Sequence, residues 1–536
     1  MKQPFSYHTF LFPFVWKTSG NTTIYQLIDR LPKEHWQEEV YDVQDGALQK
    51  NAEEYTLNYA MFQYFTQPAR KLVFGQGEDG YMRLFSYCRG GKPWGSRADE
   101  TQIGSYEITK GADVFKLVIH GIKLNIYDTG TAILSFELEN WDHRDRDSVN
   151  AINEYGRRVW FPFLTPGRTG LTADKIEIKA EDAVIASEDF LQESIGLQNN
   201  THGEEHSPIS PTHIMAPIQN LLNCAVAENA PPDALRGNQD RFVIKPLVDD
   251  RMFVCCLVCD DKALEGLAQW DADAAEYVYL SNCEKDDHTL SDNLYKLVYI
   301  ENSVSCASRR MKKELLRKSV YDRWIDYGTL YGITHHSFVC VTGADAAGES
   351  GLGDAVYNPF LTQYVEMAKI ALNSRGMVLA LSAEAANVAR EVASNNSKGP
   401  QKIQELQERY VQAQSKMMLF EVTVQEQGVE LFNMLSEQLY LPENKAALDD
   451  MIDDLRDVAN TIYDRIEQQN DSALNTAMGL LTVFGLLFAW WQSLSPLLSE
   501  ASPVYPYLAC ITNGLGFITL VFCLGAWIWL RKQKKK

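Results

Sequence analysis

Two groups of residues in this chain have the types and spacing to do chemistry. The first is cationic and aromatic. Arg157 and Arg158 are adjacent and are followed by Trp160 and Phe161, while the run 321–336 gathers Arg323, Trp324, Tyr327, Tyr331, His335 and His336. Guanidinium groups fork onto phosphate oxygens and aromatic rings stack on bases, so both clusters predict a site for a small nucleotide-class ligand. Each has a plainer reading. The arginines could simply pair with the many acids nearby, and the 321–336 aromatics could be core where an α/β region meets helices.

The second group is a stripe on one long helix. Asp453, Asp457, Asn460, Asp464, Glu467 and Asp471 recur at steps of three and four, and the same alternation continues as Asn475, Met478, Thr482, Gly485, Ala489 and Gln492. Such steps put all of them on one helical face. Polar groups on an apolar span are costly in lipid unless they meet a partner helix or water. Several copies around an axis would make Asp471, Asn475, Met478, Thr482, Gly485, Ala489 and Gln492 a pore lining below an acidic vestibule, with Asp453 and Asp457 as metal-binding carboxylates. The alternative is a solvated acidic face upstream and small-residue helix packing downstream. An apolar stripe, Met451, Leu455, Val458, Ile462 and Ile466, lies beside it and predicts packing against neighbouring helices.

Three motif matches carry no chemistry. GQGEDG at 75–80 fits the dinucleotide-binding pattern, but a strand follows it, so no helix N-terminus receives a pyrophosphate, and a hairpin turn is expected. His202, Glu205 and His206 have zinc-peptidase spacing, yet they lie in a Gly-, Asn- and Pro-rich loop that cannot put both histidines on one helical face. GADAAGESGLGD at 343–354 lacks the Lys-Ser/Thr ending of a phosphate loop and reads as a connector. With no nucleophile, metal cluster or phosphate loop, the chain is not read as an enzyme.

The elements that must position these residues follow from pattern. Residues 474–494 and 507–530 are uncharged runs of about 21 and about 24 residues, each long enough to cross a bilayer. The connecting loop carries Glu500 and no Lys or Arg, whereas Arg531, Lys532, Lys534, Lys535 and Lys536 end the chain. The positive tail therefore predicts a multi-pass hairpin with both chain termini cytoplasmic, Glu500 at the outer mouth, and 531–536 as a basic cytoplasmic tail. The first span continues without a break from a rod beginning near 444.

Upstream, 1–345 reads as an α+β cytosolic, ligand-sensing region with a break near 197–211, and 346–473 as a helical stalk region. Strands are expected at 7–16, 71–74 and 81–88 and in a hairpin turning at Asp128-Thr129-Gly130. Further strands are expected at RFVIKPL, RMFVCCLVC, YKLVYI and HHSFVCVTG, and a helix capped by Asp147 or Ser148 should end near Arg157. A basic helix covers SRRMKKELLRK, one helix runs from 360 to about 395, and another runs from 401 to about 440. The net charge of −21 argues against DNA or RNA as a partner. The cysteines lack metal-ligand spacing and read as reduced core, and the N-terminal MKQPFSYHTF has no signal-peptide pattern.

This order, an α/β region, antiparallel helices, a stalk helix entering the first span, a short outer loop, a second span and a basic tail, resembles the CorA-type divalent-cation channels and transporters. The resemblance covers 360–536. It implies a homopentamer in the bacterial inner membrane, with the stalk helix lining an ion pathway and magnesium (Mg²⁺) as a cargo and regulator. The family's Gly-Met-Asn signature is replaced by AWWQSLSPLL, so magnesium selectivity does not carry over. The large N-terminal region is more similar to the CorA-like membrane effectors of type III CRISPR antiviral defence. That similarity, carried mostly by YDRWIDYGTLYGITHHSFVCVTG, implies gating by a nucleotide second messenger, a cyclic oligoadenylate or an S-adenosylmethionine–AMP type. A constitutive or magnesium-regulated transporter is the alternative.

Overall fold

Strand-forming residues at the start of the chain end up in the middle of the sheet. β1 (Ser6–Lys17) pairs antiparallel along one edge with β4 (Thr131–Asn140), from Ser6 opposite Asn140 to Val15 opposite Thr131. Its other edge has two partners in turn: β7 (Phe253–Cys259) up to Leu11, then Phe242–Pro246 from Phe14 onward. Pro13 falls at the changeover, where its missing N–H breaks no ladder. The main path through the sheet is β8-β9-β10-β7-β1-β4-β3-β2-β5-β6, with β2 (Gly104–Lys110), β3 (Asp113–Tyr127), β5 (Lys175–Ala180), β6 (Ala183–Asp189), β8 (Val320–Tyr321), β9 (Thr329–Ile333) and β10 (Ser337–Thr342), and shorter strands, Phe242–Pro246 among them, pair off this path. Only β7 and β10 on this path pair in parallel, and each is buried throughout, as strands covered on both faces are. The β3–β4 turn is Asp128-Thr129-Gly130, with Gly130 at φ 88°.

The computed structural model describes residues 4–17, 28, 31–39, 59–75, 80–89, 92–94, 104–160, 170–181, 183–191, 215–226, 242–247, 249–302, 306–343, 353–393, 399–417, 419, 421–498, 511, 514 and 525. They fall into two compact units. Met1–Asn387 with Glu405–Met451 is one, and Val388–Gln404 with Ile452–Lys536 is the other. The first unit holds the sheet and the helices α1 (Arg146–Gly156), α2 (Thr289–Tyr299), α3 (Arg309–Ser319) and most of α4 (Val365–Ala393). It also holds most of α5 (Gly399–Met417) and all of α6 (Glu426–Gln438). α7 (Leu441–Leu498) starts in the first unit and gives the second most of its length. The fold is thus mixed α and β with a large sheet and a long C-terminal helix. From Leu441 to Trp490 that helix is long and apolar enough to cross a membrane, and its apolar window is not buried within the chain.

Several local expectations are corrected. Residues 71–73 belong to a helix, Gln67–Val73, which Phe74 caps, because Pro68 opens it and Ala69, Leu72 and Val73 form one buried helical face. YKLVYI lies in α2, where Ser291, Leu294, Tyr295 and Val298 recur at helical spacing before Ile300 stops the helix at φ 55°. The cap of α1 is Asp145, which accepts from Ser148 N at 2.8 Å, and Asp147 sits in the first turn. The helix expected over 401–440 is two, α5 and α6, with Gln425 extended ahead of α6. A helix, Gln67–Val73, and not a strand precedes the glycine-rich run expected to be a hairpin turn, and 76–79 of that run lie outside the described residues. The second span at 507–530 (three isolated positions apart), Glu500, the tail 531–536 and His202, Glu205 and His206 lie outside the described residues, as does Phe161.

Candidate functional site

Arg157 and Arg158 leave the end of α1 directly over the sheet. They can do so because Gly156 has no side chain: a Cβ there would meet Phe10 and Ile108 at under 3 Å. Arg158 forms an antiparallel bridge with Arg251, fixed by Val159 N donating to Asp250 O at 3.0 Å and Met252 N to Arg157 O at 2.8 Å. Val254 N in turn donates to His336 O at 3.0 Å. The start of β7 therefore collects two distant pieces of chain, the end of α1 and the entry to β10.

Four guanidiniums, those of Arg157, Arg158, Arg251 and Arg375, share this place with three carboxylates. Arg157 is 2% exposed and Arg158 4%. Arg157 Nη2 donates to Glu154 Oε2 at 3.0 Å and to Ile300 O at 3.2 Å. Arg158 pairs with Glu154 and Asp250, and Arg251 Nε donates to Asp249 Oδ2 at 3.0 Å. The plainer reading of the two arginines is thus half right: they are ion-paired, but deep inside. Among the described residues the pairing is incomplete. Arg157 Nε and Nη1, Arg158 Nε and Arg375 Nε are buried donors without a partner. Buried cationic donors left unmade are expensive and rare, so an anionic oxygen is the group whose presence would complete them.

The electrostatics say the same. Burial pulls Arg157 down to about 10 even beside Glu154, and burial also lowers Arg375. Burial, together with Arg251, depresses His336 to about 3, and burial with Arg375 depresses His335, so both imidazoles are neutral near pH 7. Positive charge is crowded here, and a phosphate-class anion would relieve it. His335 is fully used: Arg375 Nη2 donates to Nε2 at 2.7 Å, leaving Nδ1–H to donate to Gln438 O at 3.0 Å. The His335 ring lies 4.9 Å from that of His336 and 5.6 Å from that of Tyr440. Gln438 ends α6, and Tyr440, at φ 55°, is the bend from which α7 starts.

The other residues expected at a ligand site divide. Tyr331 is core, packed among Tyr321, Phe338, Phe360 and Tyr364. Tyr327 is 71% exposed and meets the Trp324 ring edge-on at 5.9 Å. Arg323 is spent on Glu430 at 2.5 Å and Glu426 at 3.2 Å, which tie it to α6. Trp324 Nε1 donates to Gln427 at 2.8 Å beside a cavity of about 390 Å³. Asp249, Asp250, Arg251 and Arg375 were missed by sequence reasoning. The first three stand as consecutive charges just ahead of a buried strand, a usable signal, whereas Arg375 looks like any polar residue on a helix.

The stripe residues belong to α7. Asp453, Asp457, Asp471, Asn475, Met478, Thr482, Gly485, Ala489 and Gln492 are all helical and exposed on the chain, as are apolar neighbours such as Leu480 and Phe484. Asp453 pairs with Arg456 at 3.0 Å, and Thr482 Oγ1 donates to Met478 O at 2.8 Å, which satisfies that hydroxyl inside an apolar segment. Among the described residues, no group of three or more His, Cys, Asp or Glu is placed to hold a metal ion.

One further arrangement has catalytic residue types. Cys256 Sγ is 3.7 Å from His8 Nδ1, and Asn153 Oδ1 is 2.7 Å from the same nitrogen. Burial pushes the Cys256 thiol up to about 12 and His8 down to about 4, so neither is ionised near neutrality. A fully buried neutral thiol is packing rather than a nucleophile. No family model matches the chain, and no curated protein and no solved structure matches it.

Proposed function

We propose that this protein is a homo-oligomeric, ligand-gated ion channel of the bacterial inner membrane, built on CorA-like lines. α7 and its polar stripe line the pore, and a second span at 507–530 completes each subunit's hairpin. The buried arginine cluster senses a phosphate-bearing nucleotide messenger, of the cyclic oligoadenylate or S-adenosylmethionine–AMP type, in type III CRISPR antiviral defence. Pentameric assembly, the ion as cargo and the absence of catalysis belong to the same reading.

One observation carries it: His335 joins the cationic cluster to the bend before α7 through Arg375 on one nitrogen and Gln438 O on the other. A phosphate claiming the donors of Arg375 competes with His335 for that guanidinium. The loss loosens the hold on Gln438, one residue before Leu439 and two before the Tyr440 bend. Because a neutral imidazole has one donor and one acceptor, it cannot keep both links if its ring turns. A change at the ligand thus reaches the first turn of the long helix through two hydrogen bonds.

The test is ion flux from liposomes containing the purified protein, with each nucleotide class added in turn. The expected result is flux that depends on one of them. Folded, oligomeric protein that passes no ion under any ligand condition would overturn the proposal.

A further inference from the structure

The cavity beside Trp324 is separate from the arginine cluster. Gln427 at its wall and Gln438 beneath His335 are on the same helix, eleven residues apart, which at the α-helical rise is roughly 16 Å. Its volume, about 390 Å³, is that of a small-molecule site. Three walls are rings: Tyr64, Trp324 and Tyr364. Gln363, Gln425 and Gln427 line it as well. Gln427 takes the Trp324 N–H and donates to Tyr364 Oη, whereas the amides of Gln363 and Gln425 have no hydrogen-bond partner among the described residues.

Two backbone features hold the cavity open. Gln363 and Tyr364 come from a π-helical turn, Phe360–Tyr364, and such wide turns are rare and recur at functional sites. Across from it, Gly428 sits so close to Tyr64 Oη that a Cβ would collide with it. Only glycine lets that ring form the wall.

The charge at the rim decides the class of ligand. Arg323 is neutralised by Glu426 and Glu430, so among the described residues this place, unlike the arginine cluster, offers no free cation to a phosphate. Aromatic faces accept any flat ring, and a glutamine amide presents a donor and an acceptor side by side, the pattern that reads a base edge. We propose that the cavity is a second binding site, for an uncharged planar heteroaromatic ring of the nucleobase class. Its occupant would touch α6 through Gln427 and Gly428, the residue ahead of α6 through Gln425, and the connection between β8 and β9 through Trp324, bracing the helix whose other end carries the Gln438 link. Binding is independent of the channel reading, and only the effect on gating rests on it.

The experiment is equilibrium binding of four neutral nucleosides, adenosine, guanosine, cytidine and uridine, to the detergent-purified full chain at low and at high salt. At least one should bind saturably, with an affinity insensitive to salt, because an uncharged ligand gains nothing from the guanidiniums. Trp324→Ala and Gln427→Ala should each weaken it about tenfold, the scale of one lost ring stack or base contact. If Trp324→Ala fails to fold, Gln363→Ala, at a half-buried position, carries the same expectation. Folded protein that binds none of the four, binding that survives the substitutions unchanged, or binding that collapses with salt would each overturn the assignment. Flux measured separately keeps this outcome distinct from failure of the channel reading.

Discussion

Glu154 is where the arginine cluster can be tested most sharply. It is 4% exposed and accepts from Arg157 at 3.0 Å and from Arg158 at close range. Glu154→Gln keeps the shape and an acceptor but removes the charge, leaving four guanidiniums facing Asp249 and Asp250 alone. Removing one partner of a buried pair costs about 3–5 kcal/mol, and the retained amide oxygen puts this case near about 3 kcal/mol. The same change removes a carboxylate that repels an incoming anion. At roughly 6 Å and an effective dielectric constant of about 20, that repulsion is worth on the order of 2–3 kcal/mol, or some tens of fold in affinity. The two effects have opposite signs in one assay. Thermal unfolding of the detergent-solubilised protein should show the variant melting below wild type without ligand, then rising further than wild type as inorganic pyrophosphate is added. Saturating a site at about a hundred times its Kd adds about 2.7 kcal/mol, so the rise is measurable. If pyrophosphate stabilises the variant no more than the wild type, the unmade guanidinium donors are not an anion site and the reasoning fails.

Acidification gives a second prediction. His8, at about 4 by burial, and His336, at about 3 by burial and Arg251, stay neutral when folded, whereas unfolded imidazoles take up protons near 6.5. The unfolded state then binds more protons, so stability falls with pH below 6.5, by about 4 kcal/mol at pH 5 for two such histidines. Glu137, held at about 2 against its own burial by Lys123 and Lys369, gives up its contribution only below 4.5, and His120, raised by Glu139, changes only above 6.5. Denaturant midpoints that stay flat or rise between pH 6.5 and 5 would contradict this. The membrane reading of α7 is tested by Leu481→Arg, in the exposed apolar stretch. An arginine at the centre of a span costs about 2.5–3.5 kcal/mol of insertion, so the membrane-integrated fraction should drop sharply, and an unchanged fraction after alkaline extraction would argue against a span.

Local pattern was enough to read much of the fold. The strand-forming run of β1, the Asp-Thr-Gly turn between β3 and β4, the basic run of α3 and the uninterrupted helical run of α7 are properties of neighbouring residues, which is why the sequence determines them. Short apolar runs are where it misled. KLVF at 71–74 and YKLVYI fit a strand and a helical face equally, and burial against the rest of the chain chose the helix. The site needed tertiary structure still more. Arg157 and Arg158 stand out as a pair, but nothing local says they are buried, or that Asp250, 92 positions on from Arg158, balances one of them. Nor does it say that His335 spans from Arg375 to Gln438, 103 positions away, whereas Tyr331 from the same aromatic run is sealed in the core. The types of residue that bind phosphate were written in the sequence. Their meeting depended on tertiary pairing: residues 250–252, just ahead of β7, hold the end of α1 and Val254 holds the entry to β10, and strand register is set by the packing of the whole sheet.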